Sequence, residues 1–193
     1  KMLIEIKKAL VKDVDFFQNH LIGKRLKRIR DASDFFENYL RLGKINNDSI
    51  NHHFMGLTNG IQVTYNTGPF EALKSTGIDR IVNDSLRNMI IDLYEFKLPR
   101  QTGLVAKSME RFMLGSQKHE EELRDVLKID VQKDKVIYLY NRMKKVDLKT
   151  NQSFLALLSW SSTSSTSAIK SFNSIIQEMN HLIAELENEI NKK

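Results

Sequence analysis

A carboxylate and an imidazole lie three residues apart near the end of the chain, at Glu178 and His181. On a helix this spacing places both side chains on one face. Di-iron bundles use this pair on two helices, with a further Glu from each of two others. The remaining histidines lack a Glu three residues before them; they are His20, His52, His53 and His119. We therefore predict no metal site. The hypothesis of an enzyme or carrier with a metal in the helical bundle is supported only by Glu178 and His181.

The sequence contains no recognisable catalytic motif. It has no nucleophile elbow, phosphate-binding loop, dinucleotide fingerprint or zinc-protease motif. It has no cysteine, which excludes disulfides, thiolate-bound zinc and thiol catalysis. The run His119-Glu120-Glu121-Glu122 is interpreted as a solvated helix face. We predict no catalytic residue and no cofactor, and expect that the protein is not an enzyme.

Five cations within seven residues form a candidate patch for an anionic partner. On a helix they would surround the axis and leave only the side of Leu26 and Ile29 apolar. Nucleic-acid-binding domains usually gather such cations on one face, beside side chains that read bases. No such side chain is interleaved here, so nucleic acid is disfavoured, and an anionic lipid or polysaccharide is an equal alternative. The patch comprises Lys24, Arg25, Lys27, Arg28 and Arg30.

Hydroxyl side chains cluster in residues 159–167, within an otherwise apolar helical seam. Small residues let helices approach closely, which is the interpretation we favour. The alternative is a polar pocket formed by Trp160, Ser162 and Ser165, with the indole stacking on a ligand.

The periodicity of apolar residues predicts long helices as the elements that carry these side chains. Residues 2–42 show steps of four and three, with a slip of one residue after Gly23 that predicts a bend or a new packing partner. The same steps predict a helix from about Asn151 to Asn191. A third segment begins at Asn83 or Asp84 and is interrupted by Pro99.

Two parts of the chain allow more than one interpretation. The third segment is either one kinked helix to about Leu127 or two helices that meet near Pro99. Residues 133–146 are a weaker helix prediction, because Val136 to Tyr140 has the composition of a strand. We predict an all-α fold: an elongated antiparallel helical bundle of three to four long helices, with short helices at 48–82, as a single domain over residues 1–193.

The centre of the chain resembles a known family. The pattern Leu-Lys-Ser-Thr-Gly ends a short predicted helix at residues 73–77, and Asn-Asp-Ser-Leu-Arg opens the next at 83–87. This combination resembles a bacterial family of single-pass membrane-anchored helical proteins, the domain of unknown function 6090 family. Residues 3–15 and 154–190 are also similar, so the likeness covers most of the chain, although only its centre is specific.

The resemblance implies a location but no activity. Members of that family typically begin with a short basic segment and one transmembrane helix, both absent from this chain. It implies a periplasmic domain, tethered to the bacterial inner membrane and cut from a longer protein. Our leading hypothesis is a non-enzymatic extracytoplasmic module that senses or binds an unknown protein partner or small ligand, with a homodimer as a further expectation. The alternative is a cytosolic helical adaptor or nucleic-acid-associated protein that uses residues 24–30.

Overall fold

The first long segment is helical throughout, as the periodicity predicted. The computed structural model describes residues 1–44, 47–132 and 135–192, with residues 47 and 126–142 described by their backbone alone. Helix α1 (Met2–Asp15) continues through a π-helical stretch (Phe16–Leu26) into helix α2 (Lys27–Leu42). Because a π-helical turn holds more residues than an α-helical turn, it displaces the apolar seam. This explains the phase slip after Gly23, where a Cβ would lie 3.0 Å from the carbonyl oxygen of Gln18.

A second π-helical stretch precedes Pro99. Helix α5 (Asp84–Ile91) runs through π-helical residues Asp92–Lys97 into helix α6 (Leu98–Leu123). Proline lacks an N–H and its ring clashes with the carbonyl four residues earlier in a regular α-helix. A π-helical turn placed before the proline changes that hydrogen-bond pattern. The third segment is therefore one continuous helical run, and it ends at Leu123 rather than near Leu127.

Residues after Leu123 form strands, which corrects the prediction of a helix over 133–146. Strand β1 (Arg124–Gln132) pairs antiparallel with strand β2 (Lys135–Met143). The strand alternative for residues 136–140 is confirmed, because β-branched and aromatic residues favour extended backbone over helix. The predominantly helical class is confirmed, and this pair of strands is the departure from an all-α fold.

The short helices at 48–82 are also confirmed. Helix α3 (Ile50–Leu57) follows a 3₁₀ turn at Asn47–Ser49, and helix α4 (Gly68–Thr76) precedes another at Ile78–Arg80. Gly77 ends α4 with a φ of 101°, a conformation that favours glycine.

The last helix, α7 (Gln152–Asn191), matches its predicted bounds. The Asn151 side chain caps it by accepting a hydrogen bond from the backbone N–H of Phe154 at 2.8 Å. No helix in the part of the chain that the structure describes is long and apolar enough to cross a membrane.

The chain divides into two compact units. Unit 1 contains Lys1–Lys24, Ile61–Lys107 and Ser167–Lys193, and its core includes the rings of Phe17 and Phe172, 5.2 Å apart. Unit 2 contains Arg25–Gly60 and Ser108–Thr166. Its core includes the rings of Phe36 and Phe154, 5.0 Å apart. The bundle arrangement and the single domain stay predictions.

Candidate functional site

The hydroxyl-rich stretch of α7 packs against neighbouring helices of unit 2. Ser161 Oγ is buried and lies 2.8 Å from the carbonyl oxygens of both Leu57 and Leu157. Ser165 is also buried and donates to the carbonyl of Ser162 at 3.1 Å. Trp160 is 43% exposed, and its ring lies 3.4 Å from where a Cβ would stand on Gly115. These contacts support close helix packing as the role of the stretch.

The candidate anionic-partner patch is exposed, as its composition predicted. Its five cations are exposed, while Leu26 and Ile29 between them are buried. Lys27 pairs with Asp31. Within residues 1–44, 47–132 and 135–192, no carboxylate forms an ion pair with the other four.

The carboxylate of the predicted Glu178–His181 pair is engaged in an ion pair. Lys97 Nζ lies 2.9 Å from Glu178 and 2.8 Å from Asp92. Among the residues described, no three His, Cys, Asp or Glu side chains lie close enough to hold a metal ion.

The apolar seam of α7 is largely used within the chain. Most of the seam residues in unit 1 are buried, namely Phe172, Ile176, Met179 and Leu186. These four side chains are not available to a second copy, and the homodimer stays a prediction.

A contact among Ser153, His119 and Glu122 in unit 2 was missed from the sequence. Ser153 Oγ lies 3.1 Å from His119 Nδ1 and donates a short hydrogen bond to the Glu122 carboxylate. In a hydrolytic triad the histidine lies between the serine and the carboxylate, and accepts the serine proton. Here the serine lies in the middle and its proton is on the carboxylate side. The cluster joins α6 to α7 and does not have the order of groups found in that triad.

The acidic run beside this cluster is less solvated than predicted. Glu120 pairs with Arg124, and burial raises the pKa of the Glu120 carboxyl although Arg124 lowers it. His119 is half-buried, so the interpretation of residues 119–122 as a purely solvated face is wrong for His119 and Glu120.

A concave site lies in unit 1, and we call it the end pocket. Its volume is about 350 Å³, and it is formed by the start of α1, the end of α7 and the segment between α4 and α5. Most of its lining is aliphatic, with two cations and one carboxylate. The lining residues are Lys1, Met2, Leu3, Ile4, Leu73, Arg80, Ile81, Val82, Glu189 and Ile190.

Two helix caps, one that ends α4 and one that begins α5, position one wall of the end pocket. Gly77 ends α4, and the Asn83 side chain accepts a hydrogen bond from the N–H of Leu86 at 3.1 Å to begin α5. In the segment between them, the carbonyl of Ile81 accepts a hydrogen bond from the Arg87 side chain at 3.0 Å, which holds the extended wall. The sequence predicted both caps, but not that the residues between them line a pocket.

The charges at the end pocket are unbalanced. Glu189 accepts a hydrogen bond from Asn83 Nδ2 at 3.0 Å and lies 3.4 Å from Lys192 Nζ. Arg80 is exposed and has no ion-pair partner within the described ranges. The pocket therefore combines an aliphatic lining with positive charge at its edge.

Comparisons with known proteins give no family for the chain. No family model matches it, and neither the curated proteins nor the solved structures contain a match. The resemblance to the membrane-anchored family stays a prediction.

Proposed function

We propose that this chain is a non-enzymatic binding module that takes an apolar ligand, or an apolar part of a partner, in the end pocket. The end pocket is the observation that carries the proposal. Its volume lies at the lower end of the ~300–1,000 Å³ usual for ligand pockets. Its aliphatic lining with a few polar groups is also typical of such sites.

The chemistry of the lining favours binding over catalysis. General acid–base or nucleophilic catalysis needs a nucleophile and a base within hydrogen-bond distance of each other. The lining contains no His, Ser, Thr, Cys or Tyr, and its carboxylate is occupied by Asn83 and Lys192.

We propose further that the module lies on the extracytoplasmic side of a membrane, tethered by a segment that precedes this chain. The family resemblance of residues 73–77 and 83–87 supports this part of the proposal. Fractionation of cells that express the complete protein tests it. A product recovered from the cytosol, without any apolar segment of ~20 residues before Lys1, would refute the tether.

Replacing Val82 with Asp is expected to weaken the binding of an apolar probe at least about tenfold. Val82 lines the end pocket and is 91% exposed, so the chain should fold with this substitution while a charge stands at the pocket edge. The measurement is a titration with the uncharged fluorophore phenylnaphthylamine, whose emission rises in apolar surroundings.

The matched control is Val11→Asp. Val11 is an exposed valine on α1 that does not line the end pocket. This variant should bind the fluorophore like the unsubstituted protein. Equal loss in both variants, or no binding to the unsubstituted protein, would contradict the proposed function.

A further inference from the structure

We propose that the ligand of the end pocket is a single-chain anionic amphiphile, whose alkyl chain lies against the aliphatic lining and whose anionic head binds Arg80. This inference rests on the proposed function, because it specifies the ligand class of the same site. It commits to a free molecule rather than to a membrane surface.

The lining and size of the pocket suit one alkyl chain. Leu73 and Ile81 are buried and form apolar wall, while Ile4 and Val82 are exposed beside them. Burial of such aliphatic surface is favourable in proportion to its area. A volume of about 350 Å³ is small for a ligand site, which favours a single chain over a two-chain lipid.

The position of Arg80 suits an anionic head. Arg80 ends the 3₁₀ turn at Ile78–Arg80, and a Cβ on Gly77 would lie 3.6 Å from its Nε. A guanidinium offers two parallel N–H donors to a carboxylate or phosphate. Since no carboxylate in the described residues pairs with Arg80, the guanidinium is available to a ligand.

The carboxylate of Glu189 does not reverse this preference. Its Oε2 accepts from Asn83 and lies 3.4 Å from Lys192 Nζ, so two donors of the protein already face this carboxylate. The Lys1 side chain adds a second cation to the lining. A cationic amphiphile would meet these positive groups without a free carboxylate, and we expect the pocket to disfavour it.

Displacement of bound phenylnaphthylamine tests the inference. We expect decanoate to displace the fluorophore at a concentration about tenfold lower than decyltrimethylammonium, which carries a chain of equal length and opposite charge. In Arg80→Gln, the decanoate concentration needed for half-displacement should rise about tenfold more than any change in the dissociation constant of the uncharged fluorophore, measured in the same variant.

Arg100→Gln is the matched control, since Arg100 is an exposed arginine of unit 1 outside the pocket lining. This variant makes the same change in net charge and should leave the displacement by decanoate unaltered. It therefore separates direct contact with the head from the general field of the protein.

The outcomes distinguish this inference from the proposed function. Binding of the fluorophore without a preference for decanoate, or equal effects of Arg80→Gln and Arg100→Gln, overturns the inference and leaves an apolar pocket. Absence of fluorophore binding overturns both. Arg80-dependent sedimentation with phosphatidylglycerol vesicles, without displacement by decanoate, overturns it in favour of a membrane contact.

Discussion

Replacing Gly56 with Ala is expected to lower the free energy of unfolding by about 1–3 kcal/mol. A Cβ on Gly56 would lie 2.7 Å from the Cβ of Ala32 and 3.2 Å from the carbonyl oxygen of Arg28. These atoms belong to the framework of α2, so no side-chain rotation can relieve the contact. Helices α2 and α3 must therefore move apart, which weakens the packing of the buried Phe54 and Leu57 side chains of α3.

The matched control for this prediction is Gly103→Ala. Gly103 lies within α6, and a Cβ there would meet no atom within 4 Å. Because alanine favours helix over glycine, this variant should gain about 0.5–1 kcal/mol. Urea unfolding followed by far-ultraviolet circular dichroism measures both variants.

A compensating substitution makes the Gly56 prediction sharper. Ala32→Gly removes the methyl group that Gly56→Ala would meet, so the double variant should be more stable than the sum of the single effects indicates. Equal gains in Gly56→Ala and Gly103→Ala would contradict the close approach of α2 and α3.

Replacing Asp13 with Asn is expected to raise the free energy of unfolding near neutral pH, by an amount on the order of 1 kcal/mol that is typical of a single substitution. Asp13 is only 7% exposed on α1 and accepts a hydrogen bond from the backbone N–H of Asn66 at 3.0 Å. Burial raises the pKa of its carboxyl, and the hydrogen bond offsets this only in part. Asparagine keeps an acceptor for Asn66 and removes the buried charge.

The raised pKa of Asp13 fixes the sign of the pH dependence. The folded protein holds the carboxyl proton more tightly than the unfolded chain, so this group favours folding below its ordinary pKa of 3.8. That contribution is lost as pH rises from there through the folded pKa. The stability advantage of Asp13→Asn should therefore be small at about pH 3 and largest at about pH 7. Urea unfolding across this range measures it.

Tyr94→Phe is the control for the Asp13 prediction. The Tyr94 hydroxyl is buried and has no hydrogen-bond partner in the described structure, and its ring stacks on Phe70 with centroids 4.8 Å apart. Burial raises the pKa of Tyr94, and the charge of Asp13 raises it further, so the phenol stays neutral across the tested range. Removal of this hydroxyl should leave the pH dependence unchanged. A pH-independent difference between Asp13→Asn and the unsubstituted protein would contradict the role of the Asp13 charge.

The strand pair shows where local patterns became ambiguous. A short apolar run such as residues 136–140 suits a buried helix and a strand equally in its periodicity. The pairing of β1 with β2 resolved this, because a strand is stabilised by hydrogen bonds to another strand that its own residues do not encode. The π-helical stretch had a local sign, the phase slip at Gly23, but a slip alone does not distinguish a π-helical turn from a bend.

The candidate site depends still more on distant residues. Glu189 and Asn83 are 106 positions apart, Asn66 and Asp13 are 53 apart, and His119 and Ser153 are 34 apart. No motif spacing predicts such pairs, which is why the end pocket and the buried carboxylate were absent from the sequence predictions.

The sequence by itself determined most of the helices and several of their ends. These signals act within three or four residues, so they can be recognised in the sequence. They are the apolar period, the caps at Asn83 and Asn151, and the glycine with positive φ at Gly77. Only the tertiary structure decided which strand pairs with which, which charges are compensated and where a pocket forms. Those outcomes depend on contacts between segments far apart in sequence. Such contacts form, and contribute to stability, only when the chain is folded.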